Sequence, residues 1–446
     1  MMEPIAELAR RLAAGETTAL ELAQDCLIRI LEPAGEGARA YTLIDPDRSF
    51  AQARLIDEAR ARGENLPPLA GIPVSIKALF DIEGKVTHAG SKVLASATPA
   101  RADAEPVARL RGAGVVVMGH TNMTEFAYSG LGMNPHYGTP GNPADRSRIP
   151  GGSSSGAAVS VADGMAAAGL GTDTGGSCRI PAAFCGLTGF KPTARRIPSR
   201  GTYPLSETLD SIGSIARRVE CVAMLDAALA GEVIAAPEAV SLVGLTFGVL
   251  ENYVTDDMAP EVAAAYEAAL ATLQAAGARL VALRLPDMDR LPGLNARGGI
   301  VAAEALAVHR DLLAMRGGDY DPRVAVRIRR GETQEPGELA ALLAERRAMI
   351  ARADAATAQL AAVLMPTVPI TAPRIADLDA DEAHYGRTNL LALRNPTVAN
   401  MLDRCAISLP LPVDGLPVGL SLMGETMHDR RLLALARGVE AVLARA

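Results

Sequence analysis

Two glycine-flanked serine clusters constrain this 446-residue chain more than any other feature. They are Gly151-Gly152-Ser153-Ser154-Ser155-Gly156 and, after a short apolar run, Gly171-Thr172-Asp173-Thr174-Gly175-Gly176-Ser177. Glycine admits positive φ and close backbone approach, so each cluster predicts a tight loop that aims hydroxyls and amide N–H groups at one point. The segments around them alternate between helical and extended patterns. Ile72, Val74 and Ile76 alternate as in a strand that ends at Lys77. Val115–Met118 is a short apolar run, Ala157–Ala168 is helical and Gly169–Thr172 extended. Such alternation predicts an α/β protein with a central sheet.

Flanking segments extend the pattern. Residues 4–32 read as helical, with a Thr18-x-x-Glu21 capping box and Leu20, Leu27 and Leu31 at helical spacing behind it. Residues 49–62 and 104–112 form further helices. Leu242–Leu250 and Leu280–Leu285 read as strands, with a helix marked by Val262, Tyr266, Leu270 and Leu273 between them. Long helices rich in Ala and Arg follow around 337–363. Strand signals return at Val363–Met365, Ile407–Leu409 and Val418–Leu422, and a helix over 428–443 closes the chain. The expected organisation is a single domain, 1–446, with a catalytic core at 65–225 and a helical, substrate-side cover at 230–360. Residues 363–446 complete the core. The first and last parts are expected to share one sheet, with the middle packed against it.

Composition narrows the function. Net charge is −7 without a basic block, and Phe and Tyr together number 14 with no Trp. Phosphate contacts and base stacking are both disfavoured. No 18-residue uncharged apolar run suggests a membrane span, and charges interrupt any signal-like run near the start. The five cysteines are scattered without a CxxC, which argues against a disulfide framework or zinc site and for a cytoplasmic setting.

Only four of the 44 basic residues are lysines: Lys77, Lys85, Lys92 and Lys191. A retained lysine can do what arginine cannot, which is lose its proton when desolvated. Lys85 and Lys92 read as exposed loop charges. Lys77 sits among Val74, Ile76, Leu79 and Phe80, an apolar setting that lowers an amine's pKa. Amide cleavage needs a nucleophile, a base for its proton, donors for the oxyanion and an acid for the leaving nitrogen. Ser177 after Thr174-Gly175-Gly176 supplies a nucleophile beside a nest of N–H groups. Ser153 can pass a proton between Ser177 and Lys77.

With these motifs the chain resembles the amidase signature family. The likeness runs through Gly71–Lys77, Gly151–Gly156, Gly171–Ser177, Arg179, Cys185–Thr193 and Gly415–Leu420. It implies a mixed β-sheet covered by helices on both faces, and a Ser-cisSer-Lys triad of Ser177, Ser153 and Lys77 with a cis bond at Gly152–Ser153. It also implies oxyanion donors at the backbone N–H groups of Thr174, Gly175, Gly176 and Ser177. Asp173 and Arg179 would brace the loop, with Ser154 in support, and Tyr128 and Ser129 would line the acyl pocket. His120 and Ser155 depart from the family's commoner Lys and Gly.

The reaction expected is hydrolysis of a small-molecule carboxylic amide through a seryl acyl-enzyme, with ammonia or an amine released. No cofactor, metal, nucleic acid or membrane partner is expected, and a homodimer is left open. Stand-alone amidases, carboxybiuret-type hydrolases among them, are favoured over the glutaminase subunit of a tRNA-dependent amidotransferase. A Ser-His esterase is the reading outside the family. There Gly152-x-Ser154-x-Gly156 would be an α/β-hydrolase elbow with His120 or His136 as base, but that motif needs a preceding strand. Arg327 and Arg387 are candidates for holding an acidic substrate, with no sequence signal to choose between them.

Overall fold

A computed structural model describes residues 2–445. Eleven strands form one mixed sheet: β1 (Tyr41–Ile44), β2 (Pro73–Lys77), β3 (Val116–Thr121), β4 (Ala168–Thr172), β5 (Thr188–Lys191), β6 (Ile212–Ala216), β7 (Thr246–Leu250), β8 (Arg279–Leu283), β9 (Val363–Pro366), β10 (Ala406–Pro410) and β11 (Gly419–Met423). Their order is β1-β3-β2-β4-β6-β5-β10-β11-β9-β7-β8. β2 runs parallel to both β3 and β4, while β4 pairs antiparallel with β6. Every residue of β2, β3 and β4 is buried, as expected of central strands covered on both faces.

The middle of the chain is more than a cover. β7 and β8 pair parallel with each other, and β7 joins β9, so this region extends the sheet at one edge. β5 and β6 carry no strand signal in the sequence. Their Gly- and Ser-bearing segments lack strong strand propensity, yet pairing on both sides holds them in the sheet.

Thr18 and Glu21 form the full capping box at the start of the helix Ala19–Ile30, as their spacing predicts. The buried face of that helix, however, is Ala19, Leu22, Ala23, Cys26 and Ile30, and Leu31 is 59% exposed. Of the Leu20/Leu27/Leu31 stripe, Leu20 packs against the core at its margin and Leu31 faces solvent, so the stripe is not the centre of the packing face. Small residues at 19 and 23 fit closer to the neighbouring elements than leucine would.

The helix that follows the first serine cluster spans Ser155–Ala162 and ends six residues earlier than the sequence pattern predicts. Gly156 lies so near the chain that a Cβ there would stand 2.2 Å from the Ala40 carbonyl oxygen. That approach seats the start of the helix against Ala40 and Asn122, while Ala157, Ala158 and Val161 cluster with Cys178, Ala182 and Ile215.

Candidate active site

Lys77 ends β2 and Thr172 ends β4. The register sets Ile76 beside Leu170, so both side chains emerge at the carboxyl ends of adjacent parallel strands. Lys77 is fully buried. Its Nζ donates to Ser153 Oγ and to Thr172 Oγ1, each at 2.8 Å. Burial pulls the Lys77 pKa down to about 8, against the opposing pull of Cys178, Asp210 and Asp173. Thr172 lies within the second serine cluster, though no role is assigned to it from the sequence. Its place opposite the lysine follows from the pairing of β2 with β4.

The Gly152–Ser153 peptide bond is cis. Ser153 is fully buried, and its carbonyl accepts from Thr124 N at 3.1 Å. Ser154 donates through its backbone to the Ser177 carbonyl at 3.3 Å and through its hydroxyl to the Thr172 carbonyl at 3.4 Å. Ser154 thus stitches the two serine clusters together. Ser177 itself is 3% exposed. Among the described residues no hydrogen bond joins Ser177 Oγ to Ser153 Oγ, whereas Ser153 and Lys77 are joined directly.

The loop from Asp173 to Arg179 is organised around one carboxylate. Asp173 accepts from the amides of Gly176 (2.8 Å), Cys178 (3.2 Å) and Arg179 (3.4 Å), and from the Arg179 guanidinium at 2.9 and 3.0 Å. Burial alone would raise its pKa, but Arg179, Lys191 and Asn400 outweigh burial and bring it to about 2. Asn400, which no sequence motif marks, donates to the Asp173 carbonyl at 2.9 Å and accepts from Arg179 at 2.8 Å. Thr174 Oγ1 donates to Asp210 Oδ1 at 2.5 Å, anchoring the loop from its other side.

Of the four backbone amides expected to face an oxyanion, that of Gly176 is already donated to Asp173. Those of Thr174, Gly175 and Ser177 make no hydrogen bond within the described residues, so three donors are available. Gly176 holds φ at +123°, and a Cβ there would lie 2.6 Å from Pro396 Cβ. Only glycine fits that position.

Ser177, Thr174 and Gly175 line a cavity of about 830 Å³ together with Tyr128 and Ser129. The Ser129 hydroxyl is engaged with Tyr385 (2.8 Å) and Asn389 (2.9 Å). Of the other lysines, Lys85 pairs with Asp45 at 2.6 Å, and Lys191 is buried with its Nζ donating to the Pro192 carbonyl.

No strand precedes Ser154; residues 142–153 run as loop and turn, with one isolated bridge at Arg148. The elbow geometry of an α/β-hydrolase is therefore missing. His120 Nε2 is paired with the Phe80 carbonyl at 2.9 Å, and burial lowers its pKa to about 4. His136 Nε2 is paired with Glu125 at 2.8 Å. A third histidine, His384, lines the cavity.

The amidase family profile matches residues 23–433. The 2-amino-5-chloromuconic acid deaminase of Comamonas testosteroni is 38% identical, over 98% of this chain and 96% of its own length. The AtzE chain of the 1-carboxybiuret hydrolase of Pseudomonas sp. (strain ADP) is 36% identical, over 95% of each. A crystal structure described as an amidase superposes with a TM-score of 0.89 at 33% identity, covering 99% of this chain and all of the other. The chain belongs to the amidase signature family, whose members hydrolyse carboxylic amide C–N bonds. A glutamyl-tRNA(Gln) amidotransferase chain from Streptomyces coelicolor is more distant, at 33% identity over 98% of this chain and 95% of its own.

Proposed function

We propose that this amidase works through Lys77, Ser153 and Ser177 on a small-molecule amide. Neutral Lys77 takes the Ser153 hydroxyl proton as Ser153 takes that of Ser177. The Ser177 oxygen bonds to the amide carbon, and the oxyanion is met by the amides of Thr174, Gly175 and Ser177. The proton returns along the same relay to the nitrogen as the C–N bond breaks, leaving a seryl ester and free ammonia or amine. Water, deprotonated by the same relay, then cleaves the ester to the carboxylic acid. Each oxyanion donor of this kind contributes about 3 kcal/mol.

The reading is carried by the 2.8 Å contact of a buried, low-pKa lysine with Ser153. The Ser177–Ser153 link is proposed to close when substrate is bound, as catalytic contacts are commonly looser before binding. The enzyme is proposed to act in the cytoplasm without a partner protein. No helix among the described residues is long and apolar enough to cross a membrane.

A panel of aliphatic, aryl and urea-like amides tests this. Ser177→Ala and Lys77→Arg should each lose roughly 10³-fold or more in kcat/KM, and His384→Ala should retain turnover. Loss in His384→Ala equal to that in Ser177→Ala would favour a histidine base. Turnover that needs an added partner chain would overturn the stand-alone reading.

A further inference from the structure

A carboxylate holds each end of the oxyanion loop. Asp173 accepts the Gly176 amide at one end, and at the other Thr174 Oγ1 donates to Asp210 Oδ1 at 2.5 Å. Between these anchors lie the uncommitted amides of Thr174, Gly175 and Ser177. Asp210 comes from a different part of the chain, 36 residues beyond Thr174. Thr174 lines the cavity and Asp210 does not. The carboxylate therefore stands behind the oxyanion donor and can act on the reaction only through it.

The segment that carries Asp210 is itself held on several sides. Oδ2 accepts from Leu205 N at 2.9 Å, and Asp210 N donates to the Ser206 carbonyl at 2.8 Å, which closes the turn over 205–210. Glu304, on the helix Gly299–Arg316, clasps that turn by accepting from the hydroxyls of Ser206 and Thr208 and from Thr208 N at 3.1 Å. The next residue, Ser211, exchanges backbone hydrogen bonds with Asp173 at 2.8 and 3.3 Å, so Asp210 lies alongside the loop in fixed register. Closing the turn needs only Oδ2, which leaves Oδ1 for Thr174. A hydrogen bond to a carboxylate is stronger than one to a neutral acceptor. Threonine is stiff about χ1, so an anchored Oγ1 also holds the backbone that bears the amide. An oxyanion donor gains its effect from being in place before the charge develops.

We propose that Asp210 is a positioning residue for amide hydrolysis: through the Thr174 hydroxyl it presets the Thr174 amide to meet the oxyanion. It touches neither the substrate nor Ser177. The assignment deepens the proposed amidase chemistry and rests on it.

The test pairs Asp210→Ala with Thr174→Val, which keeps the shape of threonine and removes its hydroxyl. Each should lower kcat on an amide about 30-fold, part of the loss expected for a missing oxyanion donor, with KM within about threefold of wild type. The double variant should be no slower than the slower single one, because both break the same link. Thr174→Ser should recover most of the rate. A trifluoromethyl ketone supplies a second readout. Its carbonyl carbon bonds to Ser177 Oγ, its oxygen becomes the oxyanion, and the serine proton passes through Ser153 to Lys77. Its affinity should fall in each single variant by the same factor as kcat. Where Asp210→Ala does not fold, Thr174→Val and Thr174→Ser decide the matter by the same two readouts. A kcat near wild type in Thr174→Val, a loss carried by KM, or losses that multiply in the double variant would each overturn the assignment and leave the amidase reading standing. An unmodified enzyme that neither cleaves an amide nor binds the ketone overturns the amidase reading, and this assignment with it.

Discussion

Asp173 and Arg179 face each other at 2.9 Å with neither side chain exposed to solvent, and the loop they close carries Ser177 between them. The carboxylate also accepts the Gly176 amide, so the ion pair and the loop's shape are one structure. Asp173→Asn leaves the Arg179 charge buried without a counter-charge. It should destabilise the fold by about 3–5 kcal/mol, read by urea unfolding, and lower kcat more than it raises KM. The Asp173 pKa is held near 2, below its unfolded value, so its stabilisation is present above about pH 4 and lost as pH falls toward 2. Wild type should therefore lose more stability than the variant between pH 4 and pH 2.

Activity should rise with pH. With its pKa at about 8, Lys77 is protonated below that value and takes no proton from Ser153. The log of kcat/KM should climb through pH 7 to 8 and level off above it. A profile flat from pH 5 to 9 would count against Lys77 as the base.

The same lysine costs stability. Its folded pKa lies below the ordinary 10.5, so the unfolded chain binds the proton more tightly between pH 8 and 10.5. The penalty, about 3 kcal/mol, is fully present below pH 8 and fades as pH rises through that window. The Lys77→Met variant, expected to be inactive, should gain most in melting temperature relative to wild type at pH 7 and lose that advantage toward pH 10.

Gly176→Ala should be strongly destabilising. The methyl group would meet Pro396 and Ile180 at 2.6–2.7 Å, at a φ of +123°. Overpacking and the unfavourable backbone region together cost about 3 kcal/mol. Circular dichroism should show a lower melting temperature, and serine-directed labelling of Ser177 should fall with it. Wild-type melting and labelling in this variant would show the loop to be more yielding than described.

Much of the site can be read along the chain. Glycine-flanked hydroxyls, a lysine at a strand end and the scarcity of lysine elsewhere are local facts, and each bears directly on what a residue can do. So is the Thr18–Glu21 cap, whose partners lie one helical turn apart. Residue order alone sets the chemistry on offer: which side chains can lose a proton, attack a carbonyl or leave an amide free.

Contact between distant segments belongs to the fold alone. Nothing local puts Thr172 within 2.8 Å of Lys77 or sets Asn400 on Asp173. β5 and β6 are hidden for the same reason, since their stability comes from neighbours far along the chain and not from their own propensities. Propensity acts over a few residues, while pairing and burial act across the whole sheet.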